Sequence, residues 1–214
     1  MDAREGDQQQ SEEHYRREAL GAFAHEVRTP LTAIRMVLEL GRREGEGREL
    51  VLDEELAAML QASVDDLQRL TDELQETSRL ERGKLRVASD PCDLIEVVTA
   101  ARAELRPHVE LDGDVPALSG RWDAERLARA LAGLGQAANR AGDGTGRVEL
   151  TIDAEPMSLL VELRSGSPGG VPKPIAADAG YAFFHSRQAV LAMGGKLECE
   201  RAERYLLVRV RLPR

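Results

Sequence analysis

The chain has 214 residues, 42% apolar and 31% charged, with a formal net charge of −9, which suits one large domain or two small ones around a full core. The acidic balance and only seven aromatic residues exclude a nucleic-acid platform, which needs a basic face and stacking rings. The longest run free of Asp, Glu, Lys and Arg, Ala130 to Asn139, spans about half of the ~20 residues of a membrane helix, and the charged N-terminus lacks the apolar segment of a signal peptide.

Residues 1–11 read as a polar tail. A helical pattern then runs from about Glu12 to Arg42, and the segment from Gly41 to Gly47, with three glycines, reads as an interhelical loop. A second helix is expected from about Asp53 to Arg82. Its inward positions Leu56, Leu60, Ser63, Leu67, Leu70, Leu74 and Thr77 alternate by four and three, an a/d seam, and Gly83 stops it. Two helices joined by a short loop make an antiparallel hairpin. A lone hairpin leaves apolar surface uncovered, so a homodimer with a four-helix bundle is expected over residues 12–84.

From residue 85 onward the pattern changes. A short helix is expected over 93–106, ended by Pro107. Asp123 reads as the N-cap of a helix reaching about Ala141. Three runs of period two follow: Val148, Leu150, Ile152; Leu159, Val161, Leu163; and Leu206, Val208, Val210, Leu212. With polar partners such as Glu149, Glu162 and Arg209 between them, these are half-buried antiparallel strands. A helix from about Ala179 to Met193 precedes Gly194-Gly195. The fold class is therefore α followed by α/β: a helical hairpin, then a two-layer sandwich over 85–214.

On a helical wheel at about 100° per residue, Phe23, Val27, Pro30, Leu31, Ile34 and Leu38 share the core face. His25, Thr29, Thr32 and Met36 share the opposite face. A single exposed helical histidine is ordinarily surface decoration. A proline in mid-helix, however, costs about 3 kcal/mol against alanine, an odd choice beside decoration.

The full string F-A-H-E-V-R-T-P-L-T-A-I, Phe23 to Ile34, resembles the phosphoacceptor box of bacterial sensor histidine kinases. The end of the second helix, S-R-L-E-R-G-K-L from Ser78 to Leu85, resembles the close of that family's dimerisation hairpin. The resemblance implies that His25 carries a phosphoryl group on an imidazole nitrogen. It implies that Glu26 accepts a hydrogen bond from the other nitrogen as general base, and that Thr29 orients a water for hydrolysis of a partner's aspartyl phosphate. Arg28 is a phosphate-facing or simply solvated charge. The ridge of Thr32 and Met36 with His25 is where a receiver domain would dock.

From Pro91 onward the order of elements resembles the kinases' ATP-binding domain of the GHKL superfamily. Pro91 to Leu94 resembles its opening, Trp122 to Leu127 the start of its N-box helix, and Gly180 to Leu197 its last helix and the turn into a strand. The departures fall in the nucleotide site. The two N-box asparagines that hold Mg²⁺ and phosphates fall on Gly133 and Ala137, which offer no side-chain oxygen to a hard cation. Gln136 and Asn139 stand in for them only with a shift of register. The D-x-G-x-G box falls on Ser165 to Gly169, with Ser165 where the adenine-reading Asp belongs and Ser167 in place of a glycine. The later G-x-G falls on Gly180-Tyr181-Ala182, bringing a phenol and a Cβ near the expected phosphates. Gly170 to Ala179 is too short for the usual lid over ATP.

Two further features read as structure. Gly142 to Gly146 lacks the ending and context of a phosphate loop and is a turn. His185 on the last helix is packing or surface, and Cys92 and Cys199 fit no metal spacing and suit a reducing compartment.

The expectation is a cytoplasmic histidine phosphotransferase on a degenerate kinase fold. It exchanges phosphoryl groups between His25 and response-regulator receiver aspartates. No cofactor is expected: ATP is not bound and Mg²⁺ comes with the receiver. No nucleic-acid or membrane partner is expected, and fewer than 20 residues precede the bundle, which leaves no length for a sensor. The alternatives are a response-regulator phosphatase or sequestering partner using Glu26 and Thr29, a diverged active autokinase, and a purely structural module.

Overall fold

A computed structural model describes residues 3–44, 49–105, 108–142, 144–154, 158–166 and 180–213, with side chains from residue 16 onward. Two long helices come first: α1 over Ala3–Glu44 and α2 over Glu54–Glu81. Helix α1 begins at Ala3, well before the expected start near Glu12, because Arg4, Glu5 and Gln8 to Gln10 are good helix formers that outweigh Gly6, and no proline interrupts them. It continues unbroken through Pro30. Asp53 caps α2, its carboxylate accepting from the Leu56 N–H at 2.7 Å. At the other end Gly83 takes φ +60°, and the Gly83 and Lys84 N–H groups return to the carbonyls of Leu80 and Arg79, closing the last turn.

The seam read for α2 holds residue by residue. Leu56, Ser63, Leu70 and Thr77 are buried, and the alternating Leu60, Leu67 and Leu74 are half-buried. The stripe read for α1 needs correction. Ala19, Pro30 and Val37 are buried, Ala19 in a cluster with Tyr181 and Phe184, whereas Leu31 and Leu38 are 51% and 36% exposed. The wheel centred on the largest apolar residues merges two faces: an inner seam toward α2, and an adjoining apolar edge that α2 does not reach.

The second unit runs β1 (Asp90–Asp93), α3 (Leu94–Ala103), β2 (Glu110–Asp112), β3 (Ser119–Trp122), α4 (Ala124–Ala141), β4 (Arg147–Ala154), β5 (Ser158–Gly166), α5 (Gly180–Ala192), β6 (Lys196–Arg201) and β7 (Tyr205–Pro213). The main sheet has order β2-β4-β5-β7-β6. The three strands read from the sequence, β4, β5 and β7, pair antiparallel as expected, as does β6 with β7, and β2, which the sequence did not signal, pairs parallel with β4. Strands β1 and β3 form a separate two-stranded ribbon. The inward residues of the three expected strands, from Val148 to Leu212, are buried apart from half-buried Ile152, and they face α3 and α4. Trp122 is buried where the ribbon meets the C-terminal strand, its indole N–H donating to the Pro213 carbonyl at 2.8 Å. Helix α4 starts behind Asp123, as expected, and ends at Ala141. Among the described residues no helix is long and apolar enough to cross a membrane.

Candidate functional site

Helix α1 presents His25, Arg28, Thr29, Thr32 and Met36 to solvent, and Met36 is 46% exposed. The hydroxyls of Thr29 and Thr32 donate to the carbonyls of His25 and Arg28, at 3.4 and 2.8 Å. About two turns of helix thus carry an imidazole, two hydroxyls and a guanidinium on one open ridge. A planar partner surface reaches all of them without displacing protein.

Glu26 is placed differently from its expected role. Its carboxylate is only 19% exposed, and its Oε1 accepts from Arg140 Nη1 of α4 at 3.0 Å. Adjacent residues on a helix diverge by about 100°. With His25 on the outer ridge, Glu26 turns toward the α/β domain.

That contact belongs to a wider seam in which α5 packs on both hairpin helices. Tyr181 is buried, its ring edge-on to Phe23 at 5.1 Å and tilted against Phe184 at 6.1 Å. This corrects the expected location of the phenol: it lies in the hairpin rather than near a phosphate site. His185 is buried as well, with Nδ1 2.9 Å from the Thr77 hydroxyl. Burial pushes the imidazole below its ordinary pKa, and Glu76 beside it opposes the shift. Glu76 also accepts from Arg126 at 2.7 Å and Arg129 at 3.0 Å, so one α2 carboxylate ties down the start of α4. Arg140 and Glu76 carry no motif, and the G-x-G string that holds Tyr181 gave no sign of its contact with the hairpin. The available signal was α5 itself: Phe183, Ala189 and Val190 on one side and Tyr181, Phe184 and His185 on another make a helix apolar on two faces, which must be covered twice.

Of the expected nucleotide positions, Ala137 and Ser165 are closed by the protein's own packing, and Gly133 touches a neighbouring helix at the wall of a cleft. A Cβ on Gly133 would stand 2.3 Å from the Ser186 hydroxyl of α5, so the two helices touch there. Ala137 is fully buried in the core. Ser165 is fully buried behind Gly142, where a Cβ would stand 2.3 Å from its Oγ. Asn139 does not replace a missing N-box residue: its side chain is buried and accepts from the Gly146 N–H at 2.8 Å, holding the 142–146 segment as the expected turn. Gln136 donates to the Glu104 carbonyl at 3.4 Å. Ser167 and the stretch to Ala179 lie outside the described residues. Ala182 is half-buried and lines a cleft of about 580 Å³ between α2, α4 and α5, together with Gly133, Gln136 and Ser186.

The cleft's charge is wrong for a nucleoside triphosphate. Its walls bring Asp65, Asp66, Asp72, Glu73 and Glu104 against only Arg69 and Arg129. Burial pushes the Glu73 carboxyl upward in pKa and Arg69 opposes it. Carboxylates facing a polyphosphate repel it, and no side-chain oxygen stands at 133 or 137 to hold a bridging Mg²⁺. The residues present do not fit the Mg²⁺-nucleotide that the fold implies.

Comparison with known proteins adds the family. Residues 15–83 match the His Kinase A (phospho-acceptor) domain. The chain has the fold of a histidine kinase core, with the phosphoacceptor domain in its hairpin. The fold follows the histidine kinase AdeS of Acinetobacter baumannii with a TM-score of 0.69 at 17% identity, over 88% of this chain and 97% of that one. A histidine kinase, ThkA, solved in complex with the response regulator TrrA matches with a TM-score of 0.57 at 20% identity, over 89% of this chain and 59% of that one. In sequence the core is 30% identical over 165 residues to the signal transduction histidine-protein kinase AfsQ2 of Streptomyces coelicolor, covering 72% of this chain. It spans only 30% of that relative's length.

Proposed function

We propose that this chain is a histidine phosphotransferase of a two-component phosphorelay. His25 takes a phosphoryl group from the receiver aspartate of a response regulator and passes it to another, with no ATP bound. The observation that carries this reading is the pairing of an open His25 ridge with an α/β domain whose nucleotide positions Gly133, Ala137 and Ser165 serve packing. In the forward step the lone pair of a neutral imidazole nitrogen attacks phosphorus. The N–P bond forms as the bond from phosphorus to the aspartate oxygen breaks, and the aspartate leaves as carboxylate. Glu26 accepts the proton of the ring's other nitrogen, and the receiver brings the Mg²⁺ of its own acidic pocket. Thr32 and Met36 dock the receiver beside His25, Arg28 meets its phosphoryl oxygens, and Thr29 holds a water for the competing hydrolysis. The functional unit is a homodimer with a four-helix bundle.

The second reading is an autokinase with a diverged site, favoured by the fact that the relatives in sequence and fold are histidine kinases. Melting the full chain with a non-hydrolysable ATP analogue and Mg²⁺ separates the two. A ligand that binds only the native state raises stability by about 2.7 kcal/mol at a hundred times its Kd. The phosphotransferase reading expects no rise at millimolar analogue. A saturable rise restores the autokinase.

A further inference from the structure

Glu26, next in the chain to His25, is gripped by the α/β domain from two sides. Arg140 of α4 donates to its Oε1 at 3.0 Å, with the two side chains 34% and 19% exposed. Gly180, the first residue of α5, supplies the other wall: a Cβ there would stand 2.0 Å from Glu26 Oε1 and 2.6 Å from Arg140 Nη1. Its φ of +73° lies where side-chain-bearing residues are strained. Only a glycine leaves the notch in which the ion pair sits. The Phe23–Tyr181 and Thr77–His185 contacts flank the notch and fix the domain in this pose.

We propose that Arg140 is a positioning residue of the phosphoacceptor site: with the Gly180 notch, it holds the Glu26 carboxylate off His25 and restrains transfer while the α/β domain is docked. The inference rests on the phosphotransferase reading of His25. A carboxylate engaged by a guanidinium has its charge compensated and its lone pairs taken by charge-assisted hydrogen bonds. It is then a poor acceptor for the imidazole proton that must be stabilised as the N–P bond forms. The segment that the kinase resemblance gives to nucleotide phosphates thus holds an internal anion, Glu26. Control of His25 passes from nucleotide to domain docking.

The test is single-turnover transfer from a phosphorylated receiver domain to the full chain, with receiver affinity measured in parallel. Arg140→Gln and Gly180→Ala each raise the transfer rate by about threefold or more, the low end of coupling between residues in contact, with affinity unchanged. Arg140→Lys keeps the charge and stays near the wild-type rate. In a Glu26→Gln background Arg140→Gln has no further effect, because it acts through that carboxylate. Loss of folding cannot imitate a faster reaction. If wild type accepts label and both variants transfer at or below its rate, or if the Arg140→Gln effect persists in Glu26→Gln, the restraint is wrong and the phosphotransferase reading stands. If wild type accepts no label on His25, that reading fails and the restraint with it.

Discussion

Gly133 carries the proposed loss of the nucleotide site at the scale of one residue. Its missing side chain lets α4 touch Ser186 of α5, so restoring the kinase residue adds atoms to a closed contact. Gly133→Asn is expected to lower stability by about 1–3 kcal/mol, the usual cost of overpacking, and to confer no ATP binding. Thermal melting with and without nucleotide reads both. Thr77→Val would strand the buried His185 nitrogen and is expected to cost about 1–3 kcal/mol, against near-neutral replacement of an exposed threonine such as Thr71. His25, Thr29 and Gly133 were all legible in the sequence because each sits within a string whose spacing can be counted. Arg140 was not. It is an arginine among 29 basic residues, and only the fold brings it to a glutamate 114 positions away.

Helix α5 is the element on which the two units meet, and its docking is expected to weaken in acid. The buried His185 ring resists the proton that an unfolded ring takes up near its ordinary value of 6.5. Between that value and the lowered one, the unfolded state binds more protons, so stability falls as pH drops. Glu76 and Glu73 oppose this and Arg129 and Arg126 reinforce it, with burial the largest cause. The drop in melting temperature from pH 7.5 to 5.5 is expected to be smaller in His185→Gln than in wild type, and an equal drop in both would rule the ring out as its source. The bounds of α2 and α4 and the centres of β4, β5 and β7 were readable, because caps mark the helices and alternation holds over five to seven residues in each strand. Strands β1, β2 and β3 have three or four residues each, too few for an alternation to stand out, and the parallel β2–β4 pairing has no local signature.

At the scale of the whole molecule, the hairpin leaves an apolar edge that none of the described residues covers. Leu20, Leu31 and Leu38 on α1 are 56%, 51% and 36% exposed, and Leu60 and Leu67 of the α2 seam are half-buried. A second copy packed side by side covers that edge, giving the four-helix bundle of the proposed homodimer. Sedimentation is expected to show a dimer. Leu31→Glu is expected to shift it to monomer, with the α/β fold kept, because Leu31 lies outside that domain's core. The sequence carried the hairpin and its apolar excess. It did not separate the inner seam from the outer edge, since both lie within one broad stripe on a wheel.

The account turns on His25 as an ATP-independent phosphoryl carrier. Its most direct test incubates the full chain with a response-regulator receiver labelled on its aspartyl phosphate, in the absence of nucleotide. The predicted result is acid-labile label on the wild-type chain, lost in His25→Gln and returned to fresh unlabelled receiver. Absence of label on the wild type, or label that persists in His25→Gln, would contradict it.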